Sequence, residues 1–205
     1  MFDSHIRPYI DPPLNLIAKM LAHYGVSANL LTFIGFGFAL CCFVALSFGF
    51  YGAAIVFIVL NRLMDGLDGP LSRQTTSTDL GGFLDIVFDF IFYSGTIFFF
   101  AVGFADLTVN MALAAAFLIF SFMGTGSSFL AYAIVATKRG ENHEAQGKKS
   151  FFYAHGLAEG AETIFVLLLI CIFPASFLAI AYIYGLICWA TTYGRIMQAY
   201  HGFKD

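Results

Sequence analysis

The stretch Asp65-Gly66-Leu67-Asp68-Gly69-Pro70-Leu71-Ser72-Arg73, followed by Gly81, Asp85 and Asp89, sets four carboxylates and a guanidinium into an otherwise apolar run. An ionised Asp at the bilayer centre costs roughly 3 kcal/mol on insertion scales, so acids in such a run face a cavity, a partner or an ion. At about 100° per residue, Asp65 and Asp68 lie about 60° apart on one helix face, and Asp85 and Asp89 about 40° apart on another. If the two faces oppose, carboxylates ~4 Å apart repel by roughly 4 kcal/mol at an effective dielectric of 20, and a divalent cation relieves this. Hard oxygen donors with no His or Cys nearby favour Mg²⁺, Mn²⁺ or Ca²⁺ over zinc or copper.

The glycines add a second requirement. Gly66 and Gly69 each cost a helix roughly 1 kcal/mol relative to Ala, and beside the acids they leave an open floor. Arg73 supplies a planar fork suited to phosphate, and metals with an Arg clamping a diphosphate form the recurring apparatus of phosphoryl transfer.

Outward from this stretch, the 205 residues are 60% hydrophobic and 11% charged, with 26 Phe, and mean hydropathy is +0.82. A soluble domain cannot hide that much apolar surface. Six spanning segments are predicted, near 29–49, 51–72, 81–104, 110–137, 151–173 and 175–199, each long enough for about 30 Å of hydrocarbon. Short connections favour helices over a barrel, so the expected class is an all-α polytopic integral membrane protein. Arg7, Lys19, Arg73, Lys138, Arg139, Lys148, Lys149, Arg195 and Lys204 all fall on one side of this plan. The positive-inside rule then puts both termini and the motif-bearing loop in the cytoplasm. Arg62, one turn before Asp65, reads as its ion-pair partner or a snorkelling side chain.

Before the first span, Asp11 and Pro12 make a helix start, and Leu14, Ile17, Ala18 and Leu21 share a face opposite Asn15, Lys19 and His23. The chain therefore divides into residues 1–28, with an amphipathic interfacial helix, and a membrane domain at 29–205. The N-terminus lacks the plan of a cleaved signal peptide. Cys41, Cys42, Cys171 and Cys188 show no metal-type spacing and read as small hydrophobes. Nothing supports nucleic-acid binding.

The motif resembles that of the CDP-alcohol phosphotransferases (CDP-alcohol phosphatidyltransferases), whose signature runs D-x2-D-G-x2-A-R, a spacer, then G-x3-D-x3-D. Here the residues are Asp65, Asp68, Gly69, Ser72 and Arg73, seven spacer residues, then Gly81, Asp85 and Asp89, so seven of eight defined positions agree. Ser72 replaces the usual Ala, the spacer is one residue shorter than the commonest length, and Pro70 is expected to weaken the helix before Arg73. The resemblance implies that Asp65, Asp68, Asp85 and Asp89 hold two divalent cations, Mg²⁺ or Mn²⁺, that bind the diphosphate of a CDP-linked donor. It implies further that Asp89 is the base for the acceptor hydroxyl, that Gly69 and Ser72 make room for cytidine, and that Arg73 holds phosphate. Asn29 and Thr32 match a polar pair found near the nucleotide in the family, although Ser27 or Asn29 would also serve as a helix cap. The family's habit is a homodimer in the lipid bilayer, of the bacterial inner-membrane type.

A second polar cluster comprises His155, Glu159 and Glu162, at i, i+4 and i+7 of the fifth predicted span. These residues either shape an acceptor pocket or pair with Lys138, Arg139, Lys148 or Lys149. The same basic residues would suit a phosphorylated acceptor, but topology alone would also put them there. The expected activity is transfer of a phosphatidyl group from CDP-diacylglycerol to a small alcohol, releasing CMP. Three rivals stand beside it: CDP-choline or CDP-ethanolamine transfer to diacylglycerol, a divalent-cation transporter, and an aspartate-rich prenyltransferase. A cation path gains nothing from a guanidinium beside its carboxylates, which weighs against the transporter.

Overall fold

The computed structural model describes residues 3–104, 108–139 and 156–203, with backbone alone for 3–8. In chain order the helices are α1 (Asp3–His23), α2 (Ala28–Ser47), α3 (Tyr51–Gln74), α4 (Asp79–Val102), α5 (Val109–Lys138), α6 (Gly160–Ile172) and α7 (Phe177–Gly202). A single 3₁₀ turn, Pro174–Ser176, joins the last two, and the described residues contain no strand.

Capping chemistry fixes several of the starts. Each first turn has amide groups without helical partners, and a side-chain oxygen just before it can accept from one of them. Ser27 accepts from the Leu30 amide (3.3 Å), Thr78 from Gly81 (3.0 Å) and Thr108 from Met111 (3.3 Å). Ser27, not Asn29, is thus the cap of α2. Gly49 turns the chain from α2 into α3 at φ +70°, a backbone region costly for residues with a Cβ.

Four helical stretches are long and apolar enough to cross a bilayer: Ala28–Ser47, Asp79–Val102, Val109–Lys138 and Pro174–Gly202. The chain is a membrane protein. The two other expected spans differ for distinct reasons. α3 has 24 residues but carries Arg62 at its midpoint and Asp65, Asp68 and Arg73 in its second half. α6 has 13 residues, about 20 Å at 1.5 Å per residue, and begins at Gly160 where the sequence predicted a start near 151. Residues 151–155 lie outside the described set.

α2 lies at the centre of the N-terminal half, packed against both α3 and α4, while α5 pairs with α7. The main core buries Phe92, Phe100, Phe177, Ile58 and Leu118 almost completely. Phe43 of α2 stacks on Phe99 of α4 with centroids 4.9 Å apart, and a side chain at Gly95 would collide with the Phe43 ring. On the outside, Phe33, Val44, Val56, Leu113, Phe120, Ile183 and Leu186 are exposed, as a lipid-facing surface requires.

α1 departs from expectation in two ways. It begins at Asp3, upstream of Asp11-Pro12, and runs through three prolines. Proline's fixed φ suits a helix, and Pro12 and Pro13 stand in an exposed stretch, residues 9–13. Its Leu14, Ala18 and Leu21 face packs on protein, against Leu67 and Leu71 of α3. Ile17 is exposed with Leu16 and Met20, so the face turned away from α3 carries its own apolar strip.

Candidate active site

α3 continues without a break through Pro70 to Gln74, so the proline does not end the helix before Arg73. Gly69 accepts from the Ser72 hydroxyl at 2.9 Å, a local bond within that same turn. With α3 intact, Asp65 and Asp68 share a face that meets Asp85 and Asp89 of α4. All four carboxylates line one open cleft of about 240 Å³, together with Thr32, Gly35 and Phe36 of α2.

The cleft's charge is held by specific partners. Thr32 donates to Oδ2 of Asp68 at 3.0 Å. Arg62, with 11% of its side chain exposed, donates from Nη2 to Oδ1 of Asp89 at 2.7 Å. Its Nη1 reaches Oδ2 of Asp65 at 3.4 Å and the Tyr93 hydroxyl at 3.0 Å. The Tyr93 hydroxyl donates in turn to Oδ2 of Asp89 at 3.3 Å. Behind it, Arg62 Nε donates to Oδ1 of Asn61 (2.8 Å), and Asn61 Nδ2 to the Gly35 carbonyl (2.8 Å). The guanidinium also lies over the Phe92 ring, 4.7 Å from its centroid. Arg62 is therefore anchored on α2, α3 and α4 at once, and it pairs more closely with Asp89 than with Asp65.

The two motif glycines have different jobs. A Cβ on Gly66 would stand 3.3 Å from Leu14 Cδ1, so this glycine lets α1 approach. A Cβ on Gly69 would meet only Arg73 Nη1, at 3.7 Å, so the floor is open here. Arg73 is exposed above Gly69 and does not line the cleft. A Cβ on Gly81 would lie 2.5 Å from Asn29 Oδ1, and Asn29 Nδ2 donates to Thr78 at 3.4 Å. Asn29 thus joins the starts of α2 and α4, while Thr32, one turn on, reaches the cleft.

The second cluster does not join the cleft lining. Glu159 precedes α6 in extended conformation, φ −124° and ψ −172°, so the helix face expected of His155, Glu159 and Glu162 does not form. Glu162 stands in the first turn of α6, and Arg139 donates to the Gly202 carbonyl at 3.5 Å, tying α5 to α7. Lys138 is exposed. Lys148, Lys149 and His155 lie outside the described residues.

The donor set suits a hard divalent cation: four carboxylates against one guanidinium leave a negative excess on oxygen ligands alone. Among the described residues, no three acidic, His or Cys side chains are drawn together as a finished metal shell. Arg62 takes Asp89 and Asp65 to one side, and Thr32 takes Asp68 to another.

The profile of one protein family, CDP-alcohol phosphatidyltransferase, matches residues 25–195. The chain belongs to this family. Its activity is phosphatidyl transfer in phospholipid biosynthesis. It is 44% identical over 205 residues to the inner membrane protein YnjF of Escherichia coli K12, covering 100% of this chain and 98% of that one. It is 30% identical over 204 residues to an archaetidylinositol phosphate synthase of Pyrococcus horikoshii, covering 96% and 95%. The fold is similar to that of the Mycobacterium tuberculosis phosphatidylinositol phosphate synthase solved with CDP-DAG bound, with a TM-score of 0.68 at 16% identity over 91% of this chain and 92% of that one.

Three residues of this phosphatidyltransferase escaped the sequence reading in their roles. Asn61 was legible as a polar residue in an apolar run, since burying an unpaired amide is costly. Tyr93 gave no signal among the many aromatics of α4, although its place one turn after Asp89 is what lets it bond there. Arg195 counted only as a cytoplasmic cation, yet it reaches back between helices to donate to the Thr125 carbonyl at 2.8 Å.

Proposed function

We propose that this enzyme transfers a phosphatidyl group from CDP-diacylglycerol to the hydroxyl of a small alcohol, releasing CMP, and that it does so with divalent metal. The observation that carries this reading is the meeting of Asp65, Asp68, Asp85 and Asp89 in one cleft, beside the open floor at Gly69. The CDP-DAG held by the mycobacterial structure supports the choice of donor.

Gly69 leaves space for the cytidine, and Arg73 above it holds phosphate through a planar fork. Two Mg²⁺ or Mn²⁺ ions held by the four aspartates would supply neutralisation of the diphosphate charge. Asp89, aligned by Arg62 and Tyr93, takes the proton of the acceptor hydroxyl. The acceptor oxygen then bonds to the β-phosphorus, the phosphoanhydride bond breaks, and CMP departs with the electron pair. The acceptor's own subsite includes Lys138, Arg139, Lys148, Lys149, His155, Glu159 and Glu162.

In this proposal residues 29–205 form a six-span domain, with α3 and α6 completed as spans by their neighbours, and residues 1–28 lie at the interface. Segregated basic residues support a cytoplasmic cleft and cytoplasmic termini in an inner membrane. Two copies form the working dimer. Incubating purified protein with CDP-diacylglycerol, Mg²⁺ or Mn²⁺ and a panel of alcohols tests the reading through CMP release. Release that depends on both metal and one class of alcohol is expected; none with any alcohol would remove it.

A further inference from the structure

Arg62 is a cation built into a site whose acids otherwise lack compensation, and its anchoring is unusually complete. Five contacts fix it: Asn61 behind, Tyr93 beside, Phe92 beneath, and Asp89 and Asp65 ahead. Asn61 is itself buried and locked on the Gly35 carbonyl, so the guanidinium is aimed from the α2 backbone. Both oxygens of Asp89 are engaged, one by Arg62 and one by Tyr93.

We propose that Arg62 is the resident counter-cation of the carboxylate cluster, competing with divalent metal at Asp89 and so setting how tightly metal is held. The inference rests on the metal-dependent reading above. Without Arg62, the four acids would face one another across the cleft with mutual repulsion and nothing positive among them. With it, the cluster is stable before metal arrives, and metal enters against a positive charge that must yield part of its hold on Asp89. Like charges at such range in a partly desolvated cleft repel strongly enough to cost at least tenfold in affinity. Arg62 is in this sense a positioning residue. It acts on substrate only through Asp89 and Asp65.

The test measures Mn²⁺ binding by the electron paramagnetic resonance of free Mn²⁺, and melting in EDTA and in saturating Mn²⁺, for detergent-purified full-length protein. Arg62→Gln should bind Mn²⁺ at least tenfold more tightly than wild type and melt lower in EDTA, with the melting gap closing when Mn²⁺ is added. Arg62→Lys, keeping the charge, should bind within about threefold of wild type. A merely structural role predicts the opposite for Arg62→Gln, weaker binding and a melting gap that metal leaves open, and that result would overturn the proposal. Should Arg62→Gln not fold, ¹⁵N-arginine labelling of wild type decides: the buried Nε resonance absent in Arg62→Lys should shift on adding Mg²⁺, and an unmoved resonance under saturating Mg²⁺ sinks the idea. Unchanged Mn²⁺ affinity across folded variants overturns this inference alone, whereas wild type that binds no divalent metal, with or without CDP-diacylglycerol, overturns the metal reading with it.

Discussion

Thr32 of α2 and Asp68 of α3 are joined by a 3.0 Å hydrogen bond across 36 residues of sequence. It ties a helix that contributes no acid to the orientation of one that contributes two. A hydrogen bond to a charged group contributes about 1.5 kcal/mol or more, so Thr32→Val should lower kcat/KM for the CDP donor by about tenfold. Thr32→Ser should restore most of it. Steady-state CMP release for the three proteins checks this; equal kcat/KM in Thr32→Val and wild type would mean that Asp68 needs no partner on α2.

The proposed metal dependence turns on the charge excess in the cleft. Asp65→Asn, Asp68→Asn and Asp85→Asn should each reduce turnover to background, and EDTA should do the same reversibly on adding back Mg²⁺ or Mn²⁺. Near-wild-type CMP release in any one of them would take that residue out of the metal set.

Asp89, the proposed base, should separate binding from chemistry. Asn there keeps a carbonyl for metal but accepts no proton, so turnover should fall by about 10² to 10⁴ while donor affinity changes far less. Direct measurement of CDP-diacylglycerol binding beside turnover decides it. Parallel losses would make Asp89 a metal ligand only.

The two motif glycines should part company under substitution. Gly69→Leu fills the open floor and should abolish donor binding with melting unchanged. Gly66→Ala presses only on the flexible end of Leu14 and gains helix propensity, so it should melt within about 3 °C of wild type and stay active. Undiminished CDP-diacylglycerol binding by Gly69→Leu would move the nucleotide elsewhere.

Much of this was legible in the residues. Helical spacing alone put Asp65 with Asp68 and Asp85 with Asp89, because an uninterrupted helix obeys its period whatever surrounds it, and the apolar runs marked α2, α3, α4, α5 and α7 to within a few residues. Three things were not. α3 runs on through Pro70 while packed on both α1 and α2, tertiary contacts that a local helix rule for proline does not count. The alignment of Glu159 with Glu162 failed since α6 starts only at Gly160, and periodicity cannot announce where a helix begins without a cap signal. Arg62 reads by spacing as a partner for Asp65 at i, i+3, yet its shorter bond is to Asp89 on another helix, and no local pattern encodes a contact made by tertiary packing.

In the proposed six-span arrangement, the meagre apolarity of α3 bears on how the protein is made. A segment carrying Arg62, Asp65, Asp68 and Arg73 partitions poorly into lipid by itself, each central charge opposing entry by about 3 kcal/mol. The tight turn at Gly49 tethers it to α2, whose own partition is favourable, so the two would enter as a hairpin with Thr32 already beside Asp68. Arg62 must wait for α4 to leave the ribosome before Asp89 exists to receive it. Through that interval the guanidinium has only Asp65 and Asn61 of its own helix as partners, and the arrival of the next helix adds the shorter bond to Asp89 and the Tyr93 hydroxyl.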